Sequence, residues 1–300
     1  MTNTAIIDLG TNTFHLLVAN ESKKILHEEK MPVRMGVGGI NDGLITVPAI
    51  QRIMECLHGF ARKCREMHVK KIRAFGTSAF RNAKNGNMLI EKIKKETGID
   101  IQVISGEEEA QLIYVGVRNA VALGKEKSLI VDIGGGSVEF IIANEEEIFW
   151  KQSIEIGGQR LFEKFHRHEP ILNEELGSLR KYLRDSLIPV VASLQQFKPT
   201  MIVGSSGSFE TLSDIYCVRR NIPNTRNPES PLNIESFHAI YDDLKVMNKV
   251  ERIAMPGMME WRAEMIVVTC TLIDVLVDMH AFQHIAVSRY SLKEGALFSD

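Results

Sequence analysis

The residue types best able to do chemistry here occur in a setting that the chain uses twice. Residues 5–19 read AIIDLGTNTFHLLVA and residues 129–143 read LIVDIGGGSVEFIIA. Aligned, Ile6 matches Ile130, Asp8 matches Asp132, Gly10 matches Gly134 and Ala19 matches Ala143, with Thr13 opposite Ser137. Each copy is an apolar run, a small glycine-bearing turn and a second apolar run, the pattern of a β-hairpin. Small residues at Gly10, Thr11, Asn12 and Thr13, and at Gly134, Gly135, Gly136 and Ser137, let backbone N–H groups close on an anion as a concave nest. Asp8 and Asp132, at the ends of the first strands, would set a carboxylate beside each nest, suited to a metal ion or a water next to phosphate. Glu139 shares a strand face with Ser137. A charge within that apolar run is either outward and solvated or a ligand of the cleft. One such turn alone reads as a flexible loop capped by its aspartate. Two with matched aspartates predict a phosphate-binding cleft between duplicated halves.

Three further segments carry candidate residues. Gly204-Ser205-Ser206-Gly207-Ser208 follows an apolar run and precedes a helical pattern. A strand, a small-residue loop and a helix N-terminus would make Gly204, Ser206 and Gly207 phosphate contacts, although many α/β proteins turn this way with no ligand. Ser105-Gly106-Glu107-Glu108-Glu109-Ala110 reads as a helix start, since Ser105 and Glu108 fit a capping box and acids suit the first turn. The third glutamate exceeds what capping needs, and a carboxylate there also suits a general base for water. On the pattern alone, capping explains the segment. Arg81, in a loop with Asn82 and Lys84, is either a surface charge or a forked ligand of phosphate oxygens. The histidines show no metal-ligand spacing, and the methionines are scattered as core filler.

The elements that must position these residues follow from periodicity. Extended segments continue after the first hairpin through 32–39. Apolar Ile50, Ile53, Met54, Leu57, Ala61, Cys64 and Met67 recur on one face and predict a helix over 48–67. A strand at 71–75, a helix at 87–96, a strand at 101–104 and a helix from Glu107 complete the first half. Polar Gly124-Lys125-Glu126-Lys127 divides residues 1–124 from 125–300. The second half adds helices at 158–165 and 174–196, a strand at 200–203 and a long Pro- and Asn-rich loop at 219–233, mobile or substrate-facing. Two more helices follow, then a strand at 284–288 and a last helix that could pack back on the first half. Strands alternating with helices give an α/β class.

Composition narrows the function classes. With 44% hydrophobic and 25% charged residues, the 300-residue chain reads as a soluble globular protein of roughly two domains. A net charge of −2 and a pI near 6.5 give no general pull toward nucleic acid or membrane, so a polyanionic ligand needs a local pocket. Cys56, Cys64, Cys217 and Cys270 lack metal or disulfide spacing, and no signal-peptide pattern precedes the first strand, so a reducing cytoplasm is expected. The apolar stretch 265–279 is interrupted by Thr269, Thr271, Asp274 and Asp278 and predicts a buried helix rather than a membrane span.

In order, IIDLGTNTFHLL, GTSAFRNAKN, ISGEEEAQLIY, VDIGGGSVEF and VGSSGSFETL resemble the exopolyphosphatase / guanosine pentaphosphate phosphohydrolase (Ppx/GppA) family over nearly the whole chain. The resemblance implies two duplicated ribonuclease H-like (actin-like ATPase) domains with an interdomain cleft, in the short form without the HD-type region of long members. It gives Glu109 the role of the base that activates water. Asp8, Asp132 and Glu139 become ligands of Mg²⁺ or another divalent cation or orient the water, and Arg81 becomes a substrate arginine. The turns at 10–13, 134–137 and 204–208 become phosphate loops. The implied activity is metal-dependent release of terminal phosphate from polyphosphate, or conversion of pppGpp to ppGpp in the stringent response. Polyphosphate or guanosine penta- or tetraphosphate is then the partner, with no nucleic-acid polymer and no membrane, and a homodimer stays open. A catalytically weak (p)ppGpp-binding regulator and an ATP-dependent kinase of the same superfamily are the rival readings. Gln111 stands where the family commonly has arginine, Val268-Thr269 where Pro-Gly is typical, and Arg289-Tyr290-Ser291 in place of an Asp-Gly-small run.

Overall fold

Two sheets carry the chain, and each begins with one of the repeated hairpins. The computed structural model of the protein describes residues 2–223 and 227–299. In the first half, β1 (Asn3–Leu9), β2 (Phe14–Ala19) and β3 (Ile25–Met31) form an antiparallel meander. Then come α1 (Val47–Glu66), β4 (Val69–Gly76), α2 (Ser78–Asn82), α3 (Gly86–Thr97), β5 (Ile101–Val103) and α4 (Gly106–Arg118). The strand order is β3-β2-β1-β4-β5, with β4 parallel to both β1 and β5.

The second half repeats the plan. The meander is β6 (Ser128–Ile133), β7 (Val138–Ala143) and β8 (Ile148–Ile154), followed by α5 (Gly158–Phe165), α6 (Asn173–Ser186) and α7 (Ile188–Phe197). Next are β9 (Met201–Ser205), α8 (Ser206–Arg220), β10 (Glu229–Pro231), α9 (Ile234–Val246) and α10 (Lys249–Ala254). The chain closes with α11 (Ile266–Met279), β11 (His284–Ser288) and α12 (Leu292–Phe298). Its order, β10-β11-β9-β6-β7-β8, is the first sheet again with β10 added at one edge. This is the duplicated ribonuclease H-like arrangement of the actin-like ATPase fold.

Strand alternation decides which residues face which layer. Ala5, Ile7 and Leu9 of β1, with Phe14, Leu16 and Val18 of β2, pack under α1 and α3. The intervening Ile6, Leu17 and Ala19 join Ala110, Ile113 and Val117 of α4 and Leu292 and Ala296 of α12. In the second sheet Leu129, Val131 and Ile133 face the large helical core, while Ile130, Ile141 and Ala143 join the same α4–α12 layer. Helices α4 and α12 are therefore a shared filling between the two sheets. Asp8 is in phase with Ile6, Asp132 with Ile130 and Glu139 with Ile141, so the sheet geometry turns all three carboxylates toward this middle layer.

The structure corrects several expectations. The extended stretch ends at Met31, and the following loop turns, with Arg34 at φ 54° and Gly38 at φ 72°. The single helix expected over 174–196 is two, because Pro189 stands in the first turn of α7 and cannot continue the bonding of α6. Strand β8 had no clear alternation to announce it, and every residue in it is half-buried. Arg81 lies on the short helix α2 rather than in a loop. The stretch 219–233 starts inside α8, ends its helix at Asn221 with φ 54°, and contributes β10 to the sheet edge; residues 224–226 lie outside the described residues. Residues 266–279 form the buried helix α11, and no helix among the described residues is long and apolar enough to cross a membrane.

Candidate active site

The two hairpin tips meet each other across the middle layer. A Cβ on Gly135 would lie 2.7 Å from Asn12 Nδ2, and one on Gly136 would lie 2.6 Å from Thr11 Oγ1 and 2.3 Å from Ser78 Oγ. Both glycines are thus required by close approach. Residues 10–13 and 134–137 line one cavity of about 80 Å³, together with Asp8, His15, Thr77, Ser78, Glu109, Asp132, Ser206, Arg262 and Ser291.

In both tips several backbone carbonyls are tied by neighbouring loops. Arg34 N–H donates to Asn12 O at 2.8 Å and Gly36 N–H to Thr11 O at 3.0 Å. In the second tip, Gly157, Gly158 and Gln159 at the start of α5 donate to the carbonyls of Gly136, Gly134 and Gly135 at 3.0, 2.9 and 2.9 Å. With these acceptors occupied, tip amides and the Thr11 and Thr13 hydroxyls are left to face a ligand, while Ser78 is taken by Glu155, Ser137 by Glu139 and the Gly134 amide by Ser137 O. Amides converging from two tips favour an anion at that end of the cavity, with the carboxylates of Asp8, Glu109 and Asp132 on its walls.

The matched aspartates have diverged in their surroundings. Asp132, 5% exposed, accepts from Ser205 Oγ at 2.7 Å, Ser206 Oγ at 2.7 Å and Ser291 Oγ at 2.5 Å. No donor among the described residues reaches the Asp8 carboxylate. Burial pushes the Asp8 carboxyl up to about 7 against the pull of Lys293, and the negative charges of Asp132 and Glu294 add to the rise. Across the β1–β2 ladder Asp8 pairs with His15, and across β6–β7 Asp132 pairs with Glu139. Burial, with Lys293, Lys30 and Arg262 nearby, keeps His15 well below its usual protonation range. Glu139 is 1% exposed and lies under the second tip, accepting from Ser153 Oγ at 2.7 Å, and does not line the cavity. Burial first, and Asp132 second, push it up to about 8.

Glu109 stands in the first turn of α4, one helical turn before Ile113 on the face that fills the middle layer. Ser105 and Glu108 form the expected capping box, at 3.2 and 2.8 Å, which leaves Glu109 free of that duty. Its carboxylate, 7% exposed, takes a hydrogen bond from Arg81 Nη1 at 3.1 Å. Burial and the neighbouring Glu139 push Glu109 well above the usual carboxylate range, and Arg81 opposes them. Arg81 is held in turn, donating to Ile104 O at 3.0 Å and to Glu155 Oε1 at 3.1 Å. Glu155 also accepts from Ser78 Oγ at 2.5 Å and Arg160 Nη2 at 3.0 Å.

The structure thus brings Asp8, Glu109, Asp132 and both tips to one cavity, with Ser206 on its edge, and leaves other expected residues elsewhere. Arg81 touches Glu109 from behind the cavity rather than lining it. Gly204 is a packing glycine: a Cβ there would lie 2.0 Å from the Phe209 ring. Gly207 has a similar reason, since its Cβ would lie 2.0 Å from Arg262 Nη2. Glu155, Arg160, Arg262 and Ser291 were missed, because each reaches the site from a distant segment with no local motif. The departures from the family pattern also have places. Gln111 accepts from Lys151 at 3.2 Å on the surface, Arg289 pairs with Asp214 at 2.7 Å, and Thr269 packs in α11 beside Gly158.

Among the described residues no three His, Cys, Asp or Glu side chains form a ready-made metal site. Asp8 nevertheless fits a hard cation. It is a carboxylate on the cavity with no donor of its own, and Mg²⁺ is typically held by one or two carboxylates plus substrate phosphates rather than by an all-protein cage.

The sequence profile of the Ppx/GppA phosphatase family matches residues 17–300. The crystal structure of an exopolyphosphatase from Cytophaga hutchinsonii is 41% identical, covering 99% of this chain and 97% of that one, with a TM-score of 0.95. The Aquifex aeolicus Ppx/GppA family member, 23% identical over 99% of this chain and 97% of that one, shares the fold with a TM-score of 0.79. A profile match over nearly the whole length and a close relative aligned end to end show that the chain belongs to the Ppx/GppA phosphatase family.

Proposed function

We propose that the chain hydrolyses a terminal phosphoanhydride, releasing orthophosphate from the end of inorganic polyphosphate and, by the same step, converting pppGpp to ppGpp. The observation that carries this reading is the meeting of two donor-rich hairpin tips at one cavity with Glu109 in its wall. The exopolyphosphatase activity named for the Cytophaga hutchinsonii relative supports the same substrate class.

Phosphoryl transfer depends mainly on positioning and on offsetting charge. Amides of the two tips, with the Thr11 and Thr13 hydroxyls, hold the oxygens of the terminal phosphate. Glu109 takes a proton from a water as that water's oxygen bonds to phosphorus. The bridging P–O bond opposite breaks, and its electron pair leaves with the shortened chain. A raised proton affinity makes Glu109 a stronger base, and Arg81 keeps enough of it ionised to act. Asp8 would hold a divalent cation such as Mg²⁺, which when bound offsets charge on the phosphate oxygens.

A phosphate-release assay on polyphosphate, pppGpp and ATP, with and without Mg²⁺, tests the reading. Release from polyphosphate and pppGpp well above that from ATP is expected. Binding of guanosine tetra- or pentaphosphate with no release from any substrate would overturn it in favour of a regulator. Release from ATP alone, coupled to an acceptor, would favour a kinase.

A further inference from the structure

The wall of the cavity that carries Glu109 is held from the other half of the chain. Glu155 follows β8 in the second half, and its carboxylate accepts from two residues of the first, Ser78 Oγ at 2.5 Å and Arg81 Nη2 at 3.1 Å. The other side-chain partners of Arg81, Glu109 and the Ile104 carbonyl, belong to the first half. The segment that carries Glu155 is seated under the second tip. A Cβ on Gly157 would lie 2.4 Å from the Gly135 carbonyl carbon, and the Gly157 N–H donates to Gly136 O at 3.0 Å. Arg160 fastens the same place, donating to Glu155 at 3.0 Å, to Gly136 O at 2.9 Å and to Ile40 O in the first half at 2.8 Å. A series of hydrogen bonds thus runs from Glu109 through Arg81, Glu155 and Arg160 to the glycine tip.

Partial burial pushes the Glu155 carboxyl up, but bonds from Ser78, Asn82 and Arg81 outweigh it and hold the group below the usual carboxylate range. Glu155 therefore stays ionised and grips Arg81 with charge as well as with a hydrogen bond. A guanidinium is planar and rigid, so fixing Nη2 also fixes the direction in which Nη1 points at Glu109. Glu155 itself does not line the cavity. We propose that Glu155 is a positioning residue for hydrolysis: by gripping Arg81 it sets the orientation of Glu109, and it registers that base to the phosphate-holding tip of the second half. The proposal rests on the reading that Glu109 is the base. Because Glu155 and Glu109 come from different halves, the base is aligned only while the halves are together, which ties proton removal to a closed cleft.

The test is a double-mutant cycle on phosphate release from long-chain polyphosphate, with kcat and KM measured for wild type, Glu155→Gln, Arg81→Ala and the double variant, and denaturant unfolding read in parallel. Glu155→Gln keeps the shape and removes the charge, so kcat should fall about 3- to 10-fold with KM changed by less than about twofold. The loss is smaller than for Arg81 because Glu155 acts through it and has a side chain 38% exposed to screening solvent. With Arg81 already replaced by alanine, Glu155→Gln should lower kcat by less than about a further twofold. A merely structural role would shift the unfolding midpoint alike in both backgrounds and leave kcat of the folded enzyme unmoved. If Glu155→Gln fails to fold, Glu155→Asp keeps the charge on a shorter stem and carries the same cycle. An unchanged kcat, a loss confined to KM, or an equal kcat loss with and without Arg81 would overturn the positioning role and leave the hydrolase reading intact. A wild type that releases no phosphate from polyphosphate would instead sink the parent reading, and the positioning role with it.

Discussion

Arg81 is where the structure changes what a substitution should do. Its fork spans two carboxylates, Glu109 and Glu155, each at 3.1 Å, and a third bond at 3.0 Å fixes it to the Ile104 carbonyl. The Arg81 side chain is 20% exposed and that of Glu109 9%, so solvent screens the pair only weakly. Hydrogen bonds to charged groups contribute roughly 1.5–3 kcal/mol each. Only the bond to Glu109 acts on the carboxylate proposed as the base, so Arg81→Ala should lower kcat/KM by about 10- to 100-fold. The pH profile carries the sharper signature. Arg81 is the group that opposes burial and Glu139 in setting the Glu109 proton affinity. Removing it raises that affinity further, and because the base acts only when ionised, the acidic limb of kcat/KM should move to higher pH. Arg81→Lys keeps a charge but has one nitrogen and cannot span both carboxylates, so both effects should be smaller. Steady-state rates across the pH range for the three proteins decide the matter. A loss in KM alone with an unmoved acidic limb would refute this account and return Arg81 to direct phosphate binding.

Four other outcomes are expected. Glu109→Gln should cost about 10²–10⁴ in kcat with little change in KM, whereas Glu108→Gln should keep both the rate and nearly all the stability, since a glutamine oxygen still accepts from Ser105 N–H, as denaturant unfolding would read. Asp132→Asn sets an amide nitrogen against serine hydroxyls that now donate, so the Mg²⁺ concentration for half-maximal rate should rise; an unchanged value would sink a metal role for this carboxylate. Asp8 has its carboxyl raised to about 7, so it favours the fold while protonated, and that contribution is lost as pH rises through about 7. Mg²⁺ should therefore raise Tm more at pH 8 than at pH 6, and thermal melts at both values check this. Arg252 is fully buried and donates to both Glu169 oxygens and to the carbonyls of Met247 and Ala263. Arg252→Met should cost about 2–4 kcal/mol by chemical unfolding, short of the full value for a buried pair because Glu169 keeps some solvent.

The hairpins were legible because their pattern is local: alternation, a tight turn and a carboxylate within a dozen residues, twice over. Helix α1 was legible for the same reason, its apolar face recurring at helical period. Glu109 was harder, since Ser105 and Glu108 account for the segment as a helix start and do form that cap. What singles out Glu109 is which face of α4 fills the space between two sheets, a fact of packing that no spacing within 105–110 encodes. Glu155 and Ser291 were illegible outright. Each meets its partner across a long loop of chain, Glu155 reaching Arg81 and Ser291 reaching Asp132. Arg34 pairs with Glu264 at 2.5 Å and bridges the two halves, a contact between distant segments that no local pattern announces.

The duplicated aspartates show how a repeated motif can carry two tasks. Equivalent strand positions turn Asp8 and Asp132 toward the same middle layer, yet only Asp132 is surrounded by hydroxyl donors. Those donors come from the end of β9, the start of α8 and the residue before α12, so Asp132 ties three segments of the second half together. Ser206 makes its bond from φ 69°, a conformation that costs a non-glycine residue about 1–3 kcal/mol. Glycine would sit there without strain but would have no hydroxyl to offer Asp132. The strained serine therefore argues that fixing Asp132 matters more than relaxed backbone at this turn. Asp8 lacks any such donor, and its high proton affinity marks a carboxylate whose counter-charge the protein itself supplies only in part, through Lys293 and Lys30. One copy of the motif has become a clamp that holds the second half's loops in register. The other keeps its oxygens open on the cavity where the phosphate and its cation would meet.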